Sequence, residues 1–441
     1  MSVRVFVPVF VALLCCCGAA SADDSFRGGV VLASADGDSS LAGQFYQLHG
    51  GGLVWHGSQE AEDDARTALE TLSDAARDGL DPERYRVHRG GDIAADDAAL
   101  TTALLAYMRD LAVGRPDLEA LDADVALPRP AFDAARLLDQ ALRQRRLAPM
   151  LAGLAPSSGE YAALRSELAR DPNGPNAPVI IANMERWRWM PRTIEPDRIA
   201  INAADASLAL WLGGKPVLTS RVIVGKPATP TPILRADGAG LTVNPAWTVP
   251  QSIARKEILP KLKRNHAWLA SQDMILLNGP PGDPHGLTVN WRAIPAGTFP
   301  YRIRQIPGPR NPLGQIKLEL PNRFDVYLHD TPGKTAFTRS TRALSHGCVR
   351  VEQILPLASY ALNANRDAED QITQAIDTGE TQYLPLQKRL PVYFLYWTAV
   401  PDAQGKIQFF PDIYGRDRRL IAAMDGGGQQ IAGGMTSCPK G

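Results

Sequence analysis

Apolar residues follow two different rhythms along this chain. Between about residue 40 and 170 they recur at helical spacing: in Ala61 to Asp78, the residues Ala65, Ala68, Leu69, Leu72, Ala75 and Ala76 occupy i, i+3, i+4 and i+7 positions. Gly79 then stands where a helix-ending glycine belongs. Leu100, Leu104, Leu105, Met108 and Leu111 form a second stripe closed by Gly114 and Pro116, and Phe132 to Leu142 and Tyr161 to Leu168 predict two more helices. Such stripes are the core-facing sides of packed helices. Residues 171–178, with Pro172, Pro175 and Pro178 among polar neighbours, read as a linker. Beyond it the rhythm shortens. Arg198 to Asn202, Leu208 to Leu212, Val217 to Val224, Ile316 to Leu320 and Val326 to Leu328 are β-type runs bounded by Gly, Pro and Asn. Pro391 to Val400 and Lys406 to Phe410 flank Gln404-Gly405 as a late hairpin, and Ser252 to Leu259 and Leu262 to Ala270 predict a helical insert.

A length of 441 residues exceeds what one compact core holds, so two domains are expected. Lys+Arg and Asp+Glu both number 47, and this balance calls for neither nucleic acid nor an anionic membrane as a partner.

The first 22 residues obey neither rhythm. Arg4 supplies a positive charge, Val5 to Leu14 is apolar apart from Pro8, and Ala20-Ser21-Ala22 offers a small-x-small cleavage site before Asp23 and Asp24. This predicts a signal peptide over residues 1–22 and export to the periplasm, because the apolar run is short for a membrane span. Cys15 follows Leu14, which does not suit lipid attachment. Cys15, Cys16 and Cys17 leave with the signal, so only Cys348 and Cys438 remain, too few for a disulfide framework. Cys438 belongs to a glycine-rich tail expected over 416–441. Cys348 is then a free thiol in an oxidising compartment, kept for its reactivity.

Candidate chemistry gathers around that thiol. His329-Asp330-Thr331-Pro332 follows Asp325 to Leu328, and after 15 residues comes Ser345-His346-Gly347-Cys348-Val349-Arg350. A thiol attacks as thiolate and needs an imidazole to accept its proton and stabilise the charge. Two of the seven histidines, His329 and His346, lie near Cys348, and from the residues alone either suits. His346 is two before the cysteine and would share its face on a strand. Gly347 permits close backbone approach, and the N–H of Gly347 or Cys348 could form an oxyanion hole. A metal held by His329, His346 and Cys348 lacks the ligand spacing of common zinc sites, so no metal and no cofactor are expected.

His329, the 15-residue gap and Ser345-His346-Gly347-Cys348 resemble the signature of L,D-transpeptidases with a YkuD-type catalytic domain. Tyr327 to Pro332, Met184-Glu185-Arg186-Trp187-Arg188-Trp189, Val222 to Pro227, Asn244 to Pro250 and Asp412-Ile413-Tyr414-Gly415 resemble the large YcbB-like subgroup. Gly79-Leu80-Asp81-Pro82 and Tyr85 are similar to that subgroup's scaffold domain, so the likeness runs from about residue 40 to 420. The resemblance implies an α+β chain: a helical scaffold domain over 23–170, then a mostly-β catalytic domain over 179–415 with a helical lid near 245–315. It makes Cys348 the nucleophile and His329 the general acid/base. His346 orders the site, Gly347 supplies the oxyanion hole, and Arg350 and Tyr327 bind substrate. The third group orienting His329 is either a backbone carbonyl or Asp330. The implied reaction cross-links peptidoglycan stem peptides, from a tetrapeptide donor to a diaminopimelate amine, in cell wall biogenesis. Carbapenem β-lactams are the expected covalent inhibitors. An L,D-carboxypeptidase that hydrolyses the same thioester, and an idle wall-binding scaffold, are the alternatives. The small peptidoglycan-binding module common between the two parts in larger members is missing after Leu168.

The leader carries its own test. Exported protein should begin near Asp23 by N-terminal sequencing, whereas Met1 or Ser2 retained in the membrane fraction would overturn the cleaved signal.

Overall fold

The computed structural model describes residues 37–425 apart from 89, 91, 130 and 363–365; the leader over 1–22, the segment from 426 and Cys438 lie outside the described residues. Helices fill the first part: α1 (Gly37–His49), α2 (Gln59–Ser73), α3 (Ile93–Val113), α4 (Ala134–Arg143) and α5 (Gly159–Arg170). Their starts are set by side chains that accept an orphan backbone N–H: Ser58 for α2, Asp92 for α3, Asp133 for α4 and Ser158 for α5. Each such cap is worth about 1 kcal/mol. The predicted stripes face inward, and Leu72, Leu104, Leu105, Met108, Leu111 and Leu138 sit in one buried cluster. Gly79 takes φ +69 to end the turn after α2.

Between α5 and the next helix, α6 (Ala177–Arg188), only a short turn intervenes. The linker read over 171–178 is therefore shorter, because Ala177 and Pro178 form the first turn of α6, where a proline's missing N–H costs nothing.

The second part is a closed barrel. Its strands are β2 (Arg198–Asn202), β3 (Ser207–Leu212), β4 (Lys215–Gly225), β5 (Ile233–Val243), β9 (Ile316–Glu319), β10 (Leu328–His329), β12 (Val349–Val351) and β13 (Gln382–Leu395). The order β5-β13-β2-β3-β4-β12-β10-β9 returns to β5 through the β5–β9 pairing. Two short strands add to it: β1 (Val125–Ala126), from the helical part, lies parallel to β5, and β11 (Ala343–Ser345) lies parallel to β4. Strand β10 starts later than the Val326 to Leu328 run suggested. Asp325 turns to φ +53, and the Asn322 side chain ties up Phe324 N–H, Val326 N–H and Val326 O. The late hairpin is β14 (Ala399–Pro401) with β15 (Ile407–Phe409), while Pro391 to Leu395 belongs to β13.

The lid has a core of its own, built on Leu262, Leu269, Trp291 and Phe299. It is not purely helical: β6 (Trp247–Thr248), β7 (Met274–Leu276) and β8 (Ile303–Gln305) form a three-stranded sheet beside α7 (Leu259–Arg264). Helices α8 (Ile354–Leu362) and α9 (Arg366–Asp377) follow β12. The tail expected over 416–441 is corrected in its first part, because Arg416–Asp425 forms a helix, α10, with Leu420 and Met424 buried.

Helix α6 joins the two parts through charge. Glu185 and Arg188 pair at 2.6 Å with both side chains fully buried. Glu185 also accepts from Arg115 N at 2.8 Å and Trp189 Nε1 at 3.1 Å, while Arg188 reaches Tyr161 and the Asp78 carbonyl. On the barrel side Arg186 pairs with Asp417 at 2.6 Å, and Asn183 holds Thr398 through two hydrogen bonds. Substituting Arg188→Met strands the Glu185 carboxylate in the interior. Urea denaturation should show a loss of about 3–5 kcal/mol, with the double change Glu185→Leu/Arg188→Leu costing less than that. A single variant as stable as the parent would mean that the pair carries no net charge.

Candidate active site

Strand β10 lies between β9 and β12, antiparallel to the first and parallel to the second. Leu328 is level with Val349 and His329 with Arg350, and Val349 N donates to Tyr327 O at 3.0 Å. Side chains alternate across a strand, and aligned residues share a face. Leu318, Leu328 and Val349 are packed in the barrel core. His329 and Arg350 therefore share the opposite face, joined by Lys317, which stands level with His329 on β9, and Cys348 lies close enough to Tyr327, Lys317 and Arg350 to feel all three. Ring contacts agree: Tyr327 and His329 have centroids 5.6 Å apart, and Lys317 Nζ lies 4.2 Å from the Tyr327 centroid.

His329 is buried, and its Nδ1 donates to the main-chain oxygen of Asp330 at 2.5 Å, which leaves Nε2 as the acceptor. Of the two orienting groups considered, the backbone carbonyl is the one in contact. The Asp330 carboxylate is engaged elsewhere, accepting from Gln315 N at 2.9 Å and pairing with Lys334. Gly314 at φ +62 permits this, since a Cβ there would meet the carboxylate.

Charge is withheld from both His329 and Cys348. Burial, then the nearby Arg350 cation, depress His329 to about 4, so the ring is neutral at pH 7. Burial pushes the Cys348 thiol up, against the opposing pull of Tyr327, Lys317 and Arg350. The sequence suggested an imidazole that stabilises a thiolate; here the resting pair is neutral, because desolvation outweighs the two cations. Cys348 is half-buried, with Sγ 3.7 Å from Asp325 O.

Gly347 takes φ +117, a conformation that demands glycine. Its N–H donates to Ser345 Oγ at 3.1 Å, and its carbonyl accepts from Thr231 Oγ1 at 2.8 Å. The donor expected to serve an oxyanion hole is thus engaged within the turn. His346 does not share the Cys348 face either, since residues 346–348 form a bend rather than a strand. Its Nε2 lies 2.6 Å from Glu257 Oε1 and 3.3 Å from Lys226 Nζ. Glu257 belongs to a π-helical turn of the lid, Ala254–Ile258.

The structure gathers Tyr327, His329, Cys348 and Arg350 and sets His346 against the lid. Burial holds Arg350 below its ordinary value, and its Nε is buried with no hydrogen-bond partner. Sequence reasoning missed Lys317 and Glu257. Alternation in Ile316-Lys317-Leu318-Glu319 marks Lys317 as facing away from the core, but the lid contact of Glu257 has no local signal.

A family model described as the L,D-transpeptidase catalytic domain, YkuD, matches residues 196–376, and one described as the Scaffold domain matches residues 40–168. A Haemophilus influenzae protein described as “Putative L,D-transpeptidase” is 34% identical over 241 residues, which is 55% of this chain and 48% of that protein. The chain thus matches about half the length of this curated relative. Among solved structures, the Ldtfm–avibactam carbamoyl enzyme shares 13% identity over 47% of this chain and 51% of its own, with a TM-score of 0.23. An L,D-transpeptidase from Mycobacterium smegmatis shares 10% identity over 45% and 58%, with a TM-score of 0.22. Superpositions of that quality add nothing to the architecture. The chain therefore carries a YkuD L,D-transpeptidase catalytic domain behind an N-terminal scaffold domain.

Proposed function

We propose that the protein cross-links peptidoglycan stem peptides in the periplasm through a thioester on Cys348. The observation that carries this reading is the parallel pairing of β10 with β12, which sets the neutral imidazole of His329 level with Arg350, two positions from the only cysteine among the described residues. In the first step His329 Nε2 takes the Cys348 proton as sulfur attacks the donor carbonyl. The same proton then passes to the departing amine of the terminal D-alanine. In the second step an amine, such as that of diaminopimelate, attacks the thioester; His329 removes its proton and the thiol is restored. The oxyanion falls to the Cys348 N–H, since the Gly347 N–H bonds Ser345.

Arg350 has a second part in this reading. Its unpartnered Nε receives a substrate carboxylate, and that pairing offsets the field that depresses His329. Substrate arrival then strengthens the base at the moment it is needed.

The deciding experiment incubates the protein with disaccharide-tetrapeptide and reads products by mass spectrometry. Cross-linked dimers are expected and should vanish in Cys348→Ala, whose fold is checked by circular dichroism. Tripeptide without dimers would instead identify an L,D-carboxypeptidase, and dimers from the alanine variant would remove Cys348 from the chemistry. A carbapenem should add its mass to the parent protein and not to Cys348→Ala.

The neutral pair has a separate signature. With the thiol raised and His329 neutral down to about pH 4, iodoacetamide labelling of Cys348 should climb steadily from about pH 5 to 9, because only the thiolate reacts. A plateau across neutral pH would reveal a preformed thiolate–imidazolium pair. His329→Ala should lower turnover about 10²–10⁴-fold while barely moving that labelling curve.

A further inference from the structure

The seam between the helical domain and the barrel holds a cavity of about 930 Å³ whose lining includes no residue of the Cys348 site. Arg109, Arg115 and Arg129 enter it from the helical side and Arg235 and Arg323 from the barrel, against Asp117. Two of these cations already face carboxylates: Arg235 lies 2.7 Å from Glu195, and Arg109 lies 3.1 Å from Asp110. The other three bond main-chain oxygens, and Arg323 also lies over the Phe324 ring, 4.8 Å from its centroid. Arg115 reaches Met424 O at 2.6 Å, Arg323 reaches Val125 O at 3.0 Å, and Arg129 bonds the Pro116 carbonyl. Arg115 Nε is buried with no hydrogen-bond partner.

Five guanidiniums line this concavity against the single carboxylate of Asp117, and a cleft so dominated by positive charge concentrates anions. Guanidinium geometry suits a carboxylate or a phosphate, through paired N–H donors. The rest of the lining narrows the choice. Val113, Leu118, Val125, Leu127 and Pro128 give the cavity apolar walls that a bare inorganic anion would leave uncovered. A peptide whose carboxylates alternate with short aliphatic groups meets both surfaces.

We propose that this cavity binds a peptide carrying several carboxylates, anchored by Arg115, Arg129 and Arg323. The inference rests on the function proposed above in taking that peptide to be a peptidoglycan stem, and it adds a holding site apart from the reacting centre. The location fits such a role. Arg323 lies two residues before Asp325, whose carbonyl faces the Cys348 sulfur, so a strand held in the cavity is one short loop away from the nucleophile.

The test titrates the full protein by calorimetry with a synthetic L-alanyl-D-glutamyl-diaminopimelate peptide, with the same peptide amidated at its carboxylates, and with inorganic phosphate. Binding is expected for the acidic peptide only, weakening with salt. The double change Arg129→Gln/Arg323→Gln should weaken it about tenfold or more, as expected for lost charge-assisted bonds, while Arg350→Gln leaves this binding in place. Both arginine side chains are exposed, so the fold should survive. Unchanged iodoacetamide labelling of Cys348 and an unchanged melting curve check this, and Arg129→Lys/Arg323→Lys, retaining part of the affinity, serves if the glutamines unfold the protein. Unaltered affinity in the double variant overturns the proposal, as does equal binding of phosphate or of the amidated peptide. Loss of cross-linking activity in the parent with this binding intact would count against the proposed function and spare the cavity. Intact cross-linking without this binding would do the reverse.

Discussion

The site depends on the closure of the barrel by β5 and β9. Gly240 to Val243 pair with Ile316 to Glu319, so β9 is hydrogen-bonded on both sides and the strip β9-β10-β12 has no free edge. An open strip of such short strands would be a mobile edge. Closure fixes its register through the packing of Leu318, Leu328 and Val349 against the core. Slipping any of them by one residue would turn Lys317, His329 or Cys348 inward among aliphatic side chains. These polar residues therefore face outward because their neighbours are apolar. The relative position of Cys348 and His329 is set by the pairing of Leu328 with Val349 and by the turn that Ser345 and Thr231 clamp behind it.

Desolvation is the second consequence of that placement. Two cations beside a half-buried thiol favour its ionisation, and Lys317 and Arg350 pull in that direction. The low-polarity surroundings pull harder, and the same cations discourage a proton on His329. The pair thus stores no charge at rest. Such a thiol is also less exposed to adventitious oxidation, which acts on thiolates.

Legibility in the sequence followed how local each signal was. Stripes such as Leu100 to Leu111 and alternating runs such as Arg198 to Asn202 appear as helix and strand because the pattern and the packing coincide. Strand β5 escaped notice because Asp237, Gly238 and Gly240 interrupt its apolar run. Gly240 has a spatial reason: a Cβ there would strike the Tyr383 ring, which lies across it from β13. His329 and Cys348 stand out in the sequence because they lie close together and carry distinctive chemistry. Lys317 needed the β9–β10 register to become a neighbour, and Glu257 needed the lid to fold over His346. Neither contact leaves a trace in the residues around it. The resting charge of the pair was not legible at all, because burial decides it.

The charged run Met184 to Trp189 shows how one helix can serve two cores. Hydropathy alone would place Glu185, Arg186 and Arg188 on a surface, yet all three are buried. Helical spacing sorts them. Asn183 and Arg186 are three apart and face the barrel, where they meet Thr398 and Asp417. Glu185 and Arg188 are also three apart, turned about 200° from Asn183 to Glu185, and face the helical domain at Arg115, Tyr161 and Asp78. On the helical side Glu185 and Arg188 answer each other, and on the barrel side Asp417 answers Arg186. An apolar helix would bury as much surface, but it would accept many rotations between the two cores. Directional bonds to opposite sides accept one, and that fixed rotation carries the scaffold domain's β1 to the edge of β5, where the arginine-lined seam forms.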